Sequence, residues 1–289
     1  MTPGADRPRE PEALASGGAP PPRRFRLLLE FDGTDFLGWQ RQAAGERTVQ
    51  ATVERALAKL PGEHSAVVSA GRTDAGVHAL AMVAHFDSST ALADERLRLA
   101  LNAHLPRDVV VLRVETCPSD FESQFHCRYR RYLYRMRLAR EDPRGLALLR
   151  HRALSVFREL DVAAMQRAAA YLLGHHDFAA FATQESRTTA RTVYLCELRW
   201  AGASAGGREL RLHIAADGFL RNMVRTIVGT LLWVGKGKLV PAEVEGILLS
   251  QDRKRAGQNV AAHGLYFVEA GYQAWDPSRS EAAVADLVL

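Results

Sequence analysis

The stretch Ser69-Ala70-Gly71-Arg72-Thr73-Asp74-Ala75-Gly76-Val77-His78-Ala79 constrains this chain more than any other. Val67 and Val68 precede it, and an apolar run from Leu80 to Phe86 follows. The pattern reads as strand, short loop, strand, with the carboxylate of Asp74 at the loop tip. Gly71 and Gly76 bracket that carboxylate and permit backbone geometry and ligand approach closed to larger residues. Loops held on a rigid scaffold often carry chemistry. The same residues also read as an ordinary polar turn, since Asp and Gly favour turns. The rest of the chain decides between the two.

At 289 residues the chain can bury a large core, in one domain or two. Lys and Arg number 38 against 33 Asp and Glu, a formal charge of +5. This tilts toward an anionic partner such as nucleic acid. Cys117, Cys127 and Cys196 are far apart and form no CxxC pair. A reducing, cytoplasmic setting is expected, with no disulfide framework and no zinc ribbon. No apolar run approaches a membrane span. Residues 1–22 hold six of the twelve prolines and read as a disordered tail, not a secretory signal. Residues 276–289 read as a second tail.

Order begins at Phe25, with a strand to Phe31. Asp32-Gly33-Thr34 follows it and invites a phosphatase reading. Phosphatases of the haloacid dehalogenase type end an apolar strand in Asp-x-Asp-Gly-Thr, whereas here Glu30 holds the nucleophile position. Glutamate is one methylene longer and would misplace the attacking oxygen, so Asp32 is expected to brace the turn. A helix is predicted over Thr48–Leu60, with Thr48 as N-cap, and another over Asp94–Leu105, capped by Asp94. With a strand at Val109–Glu115, the first half reads β-α-β-β-α-β, a ferredoxin-like order. The second half offers a helix at Asp161–Leu173, then His175-His176-Asp177-Phe178 and a loop from Phe181 to Arg187. Two adjacent histidines make no metal site alone, and none is expected. A strand pair at Arg191–Trp200 and Glu209–Ala216 is joined by a turn at 202–207. Beyond a helix at Pro241–Leu249, a closing strand is expected at Gly264–Val268.

Two further stretches carry information. Seven arginines fall between 128 and 144, interleaved with Tyr129, Tyr132 and Tyr134. Guanidinium groups pair with phosphates, and aromatic rings stack on unpaired bases. Alternation places Tyr132, Tyr134 and Met136 on one strand face and Arg131, Arg135 and Arg137 on the other. The alternative is a solvated basic edge strand. The stretch Ala216 to Gly229 opens a helix running to about Val234 and closed by Gly235. Arg221 and Arg225 are expected on one face of it. Arg225 lies among Val224, Ile227 and Val228, and a half-buried arginine needs an anion.

Together these stretches resemble the tRNA pseudouridine synthase A family. The matches run in order: Phe31-Asp32-Gly33-Thr34 with Gly38-Trp39-Gln40, the octapeptide Gly71 to His78, Arg130-Arg131-Tyr132-Leu133-Tyr134, His176-Asp177-Phe178, Asn222-Met223-Val224-Arg225 with Ile227-Val228-Gly229, and Gly264-Leu265-Tyr266. They cover about residues 25 to 272. The resemblance implies isomerisation of uridine to pseudouridine at positions 38 to 40 of the tRNA anticodon stem-loop. It implies tRNA as partner, a homodimer, no cofactor and no metal. By position, Asp74 matches the catalytic aspartate and Arg225 the arginine paired with it. Tyr132 matches the tyrosine that packs on the uracil, Arg72 the arginine that helps extrude the base, and Leu265 an apolar pocket residue. Arg130 and Arg131 are the expected RNA-binding arginines of the basic stretch. One departure stands out: relatives often carry Asp-Phe-His-Ala-Arg where this chain has Asp120-Phe121-Glu122-Ser123-Gln124, which removes an arginine and a phosphate contact at 124.

The expected fold is α+β, with two ferredoxin-like, RRM-like subdomains (23–140 and 141–275) sharing a central, mainly antiparallel sheet flanked by helices, and a cleft between them. The chemistry suits the residues. Moving the glycosidic bond from N1 to C5 of uracil needs a nucleophile or base at the sugar-base junction and consumes no water, redox equivalent or phosphate. Two other classes stay open: an RNA-binding module without turnover, against which intact Asp74, Tyr132 and Arg225 argue, and a metal-dependent phosphatase using Asp32, which a chelator would silence.

Overall fold

The computed structural model describes residues 21–43, 45–140, 142–183, 188–201 and 208–276. The tail expected at 1–22, but for its last two residues, lies outside them, as do the turn at 202–207, part of the loop at 184–187 and the tail after 276. Strand β1 (Arg23–Phe31) buries Phe25, Leu27, Leu29 and Phe31 on one face. Helix α1 (Val49–Leu57) is capped by Thr48, whose side chain accepts from the Ala51 amide. Then come β2 (Val68–Ser69), β3 (His78–Ser88), α2 (Asp94–His104) and β4 (Val109–Cys117). The β-α-β-β-α-β order of the first half is therefore present. The second half runs β5 (Tyr129–Leu138), β6 (Leu154–Val156), α3 (Val162–Ala170), β7 (Gly174–Asp177), β8 (Ala190–Trp200), β9 (Glu209–Ala216), α4 (Met223–Gly235), α5 (Glu243–Ser250) and β10 (Leu265–Gly271).

The described strands form one mixed but mainly antiparallel sheet in the order β4-β1-β3-β10-β5-β9-β8-β7, with β2 added to β3 and β6 to β5. The last of the described strands thus sits at the centre. It runs parallel to β3 of the first half and antiparallel to β5 of the second. This insertion brings the start of β10, and with it Leu265, beside the loop that carries Asp74. The buried apolar side chains of all five described helices join one core with the Tyr132, Tyr134 and Met136 face of β5. No helix among the described residues is long and apolar enough to cross a membrane.

Three local expectations change, and one alternative falls. Ala93 is the N-cap of α2, and Asp94 is its first helical residue. The Asp94 carboxylate instead holds Thr116 of β4 through its amide and hydroxyl. Gly235 is the last residue of α4, not its stop. A Cβ there would lie 2.5 Å from Met165 Sδ, so the glycine lets α3 pack against α4. Arg221 precedes α4 and shares no helical face with Arg225. The basic stretch forms a central strand, not a solvated edge, because β9 and β10 flank it.

The far face of β5 carries Arg131, Arg135 and Arg137, all buried. Arg135 makes a two-pronged pair with Glu209, at 2.9 and 2.8 Å. His213 of β9 lies opposite Leu133 on this face, only 3% exposed. Burial, with Arg131, Arg199 and Arg211 nearby, pushes its imidazole down to about 3. The unfolded chain therefore takes up a proton near pH 6.5 that the folded chain refuses until about 3. Stability present above pH 6.5 is lost as pH falls through that window, by up to roughly 5 kcal/mol. His213→Leu is expected to flatten the acid loss of the thermal midpoint between pH 7.5 and 4.5. Burial also lowers the pKa of His78 and His85, so the flattening is partial.

Candidate active site

The loop between β2 and β3 is clamped from below by the chain that follows β1. The Trp39 amide donates to the Thr73 carbonyl at 3.0 Å, and the Gly76 amide to the Phe36 carbonyl at 3.2 Å. Gly38 takes φ +93°, and a Cβ there would lie 2.5 Å from the Thr73 oxygen, so glycine alone fits. The Val77 amide closes the turn onto the Asp74 carbonyl at 3.1 Å. His78 seals the base: it accepts from the Gly33 amide, and its other nitrogen faces the carbonyls of His151 and His263. Two of the recognised sequence stretches, 31–40 and 71–78, are thus one structural unit that holds the Asp74 carboxylate in place.

Asp32 braces its turn, as expected, through the Thr34 amide and hydroxyl at 3.1 and 2.6 Å. Its second oxygen pairs with Arg152 at 2.8 Å. That carboxylate is committed to the turn and does not line the cleft, which leaves the phosphatase reading without a site.

The opposing wall is α4. Arg225 sits in its first turn and reaches Asp74, 151 residues away, with Nη1 3.2 Å from Oδ2. Its side chain is 15% exposed against 35% for Asp74. The expected partnership between a half-buried arginine and an anion is present. Nε donates to the Val260 carbonyl at 2.7 Å. That segment can lie so close because Gly229 has no side chain: a Cβ there would fall 1.9 Å from the Gln258 oxygen.

The pair lies in a cleft of about 1290 Å³. Tyr132, 8% exposed, forms a flat wall held edge-on between Phe219 at 5.1 Å and Phe267 at 5.2 Å. Burial raises its phenol pKa well above the usual value, so it stays neutral. Leu265 supplies an apolar edge, and Arg72 stands exposed at the rim with Arg221 and the half-buried Arg191. Gln124 also lines the cleft.

Two expected RNA-binding residues are placed differently. Arg131 is 2% exposed and lies on the face of β5 away from the cleft, so no phosphate can reach it in this chain. Arg130 lines the cleft, yet its five N–H donors make five bonds to four backbone carbonyls, those of Ala70, Cys127, Asp217 and Gln124. It is a bracket that ties the Asp74 loop to two neighbouring loops. Arg130→Ala is expected to cost about 3 kcal/mol, read as a fall in the urea midpoint of unfolding, because four carbonyls lose a charged donor. A midpoint within error of the parent would return Arg130 to the phosphate contacts.

Sequence reasoning assigned no site role to Asn222, Phe219 or Arg191, and it placed Phe219 in an apolar helix row that begins only at Met223. Asn222 had one local signal, its place three residues before Arg225. The other two had none, since their place depends on the packing of β8 and α4. His175 and His176 form local bonds to Thr192 and to the Leu173 carbonyl, outside the cleft.

A narrow floor with one arginine-paired carboxylate, under an aromatic wall and an arginine rim, suits a single unstacked nucleobase. A family model described as tRNA pseudouridine synthase matches residues 28–130 and 168–273. The chain belongs to this family, isomerases that act on the uridines of tRNA. The tRNA pseudouridine synthase A of Thermus thermophilus is 48% identical over 250 residues, covering 86% of this chain and 97% of that one. The protein of the same name from Acetivibrio thermocellus is 42% identical over 252 residues, covering 86% and 100%.

Proposed function

We propose that this chain converts uridine to pseudouridine at positions 38, 39 and 40 of the tRNA anticodon stem-loop, with Asp74 as the catalytic carboxylate. The observation that carries the reading is the Asp74–Arg225 pair at the floor of the cleft, 3.2 Å apart. In the reaction the bond from C1′ of the ribose to N1 of uracil breaks, and a bond from C1′ to C5 forms. N1 gains a proton and C5 loses one, so the product is an isomer and no co-reactant is needed. Asp74 is the nucleophile or base at the sugar-base junction, and Arg225, 3.2 Å from its carboxylate, holds it in position. Tyr132 and Leu265 keep the detached uracil between flat walls while it turns. Extracting the uridine from a stem costs a few kcal/mol of unstacking. Arg72, two residues before Asp74, fills the space it leaves.

The two halves, 23–140 and 141–275, act in this reading as ferredoxin-like subdomains that meet at β10, and the working enzyme is a cytoplasmic homodimer. The test is direct. Unmodified tRNA transcript is incubated with the protein without added metal, and pseudouridine is mapped. Product at 38–40 supports the reading; modification confined to other positions, or none, overturns it.

A further inference from the structure

Asn222 stands directly before α4 with φ 63° and ψ 6°, in the left-handed region. A backbone of this kind is disfavoured for a residue with a Cβ and persists where its surroundings impose it. An asparagine at this position commonly caps its helix, but this side chain makes no capping hydrogen bond. The amide turns to the cleft instead. Its Oδ1 accepts from Arg225 Nη1 at 2.8 Å, and its Nδ2 meets Thr183 Oγ1 at 2.7 Å. The orientation is fixed by chemistry, because arginine can only donate. The same Nη1 reaches Asp74 Oδ2 at 3.2 Å, while Nε is held by Val260. One Nη1 hydrogen is thus taken by a neutral, anchored acceptor, and the other is left aimed at the carboxylate.

We propose that Asn222 is a positioning residue: its amide, set by the left-handed backbone and by Thr183, holds the Arg225 guanidinium on Asp74. The assignment rests on the reading of Asp74 and Arg225 as the isomerising pair. Without the amide, the guanidinium keeps only its Val260 anchor and is free to follow an RNA phosphate at the rim.

Asn222→Gly removes the amide and adopts φ 63° without strain. It is expected to lower kcat about tenfold, the size of a lost hydrogen bond to a charged group, with KM and tRNA affinity within about twofold. Asn222→Asp is nearly isosteric and tolerates the same backbone, but puts a second carboxylate on Nη1 that draws the guanidinium from Asp74. Its kcat should fall at least as far. Thr183→Val should cost about threefold in kcat, and nothing further once Asn222 is glycine, because it acts through that amide. A role in folding alone predicts a lowered melting point with kcat per folded enzyme intact. That result overturns the proposal, as does an Asn222→Asp enzyme with parental kcat, or a loss carried by KM. A parent protein that makes no pseudouridine overturns the functional reading, and this assignment with it. An active parent with an unaffected Asn222→Gly variant overturns this assignment alone.

Discussion

Asp74→Asn is expected to abolish pseudouridine formation while tRNA affinity stays within about tenfold of the parent. The substitution changes one oxygen to an amide nitrogen and leaves size and shape unchanged. The remaining amide oxygen can still accept from Arg225 Nη1, which lies 3.2 Å from the carboxylate now, so the wall of the cleft stays in place. The loop is held by Thr73, Gly76 and Val77 through backbone bonds and does not depend on the Asp74 side chain. An amide is neither a nucleophile nor a base at neutral pH, so the chemistry at the sugar-base junction has no agent. Affinity should survive because binding to tRNA comes mostly from phosphate contacts and counterion release, spread over many side chains. Turnover is measured by mapping pseudouridine after long incubation, and binding by titration at two salt concentrations. Turnover near that of the parent removes Asp74 from the nucleophile and base roles. A collapse of affinity with no change in salt slope would make it a binding residue.

The Asp74 loop was legible because its information is local. A short strand, a turn and a long strand are written in neighbouring residues; Gly38 marks a close approach that any side chain would block, and Gly76 takes a φ of +79° that favours glycine. The pairing with Arg225 was legible for a different reason: an arginine among Val224, Ile227 and Val228 needs an anion wherever the chain finds one. What the sequence could not supply is occupancy. Alternation separates Arg131 from Tyr132, but it does not say which face of the sheet is covered. Arg130 looks like a free cation in a string of cations, and its five bonds exist only because Ala70, Gln124, Cys127 and Asp217 converge around it in three dimensions. Central insertion of β10 is equally silent in the sequence. A seven-residue strand at the end of a chain reads the same at an edge as in the middle. The role of Asp94 was missed because a capping residue and a first-turn residue share one composition, and only the distance to Thr116 separates them.

Arg225→Met is the second large effect: a fall in kcat of about 10²-fold or more, with the fold and tRNA affinity retained. Methionine is long, flexible and apolar, and suits a first-turn position flanked by Val224, Ile227 and Val228. Losing the cation leaves Asp74 without its partner, but that side chain is 35% exposed and can be hydrated, so folding is not compromised as it would be for a sealed pair. The cost falls on the reaction, where a hydrated and unaimed carboxylate must be stripped of water and turned before it meets the sugar-base junction. Arg225→Lys should recover part of the loss and no more. The guanidinium bonds the Val260 carbonyl, Asn222 and Asp74 at once, through two nitrogens in one plane. A single ammonium restores the charge but lacks that fork. Single-turnover rates for the two variants, beside their tRNA dissociation constants, separate these contributions. The order parent, lysine, methionine in rate, at nearly constant affinity, is the expected result. Equal rates for lysine and parent would reduce Arg225 to a plain countercharge, and a methionine enzyme as fast as the parent would dissolve the pair as a catalytic unit.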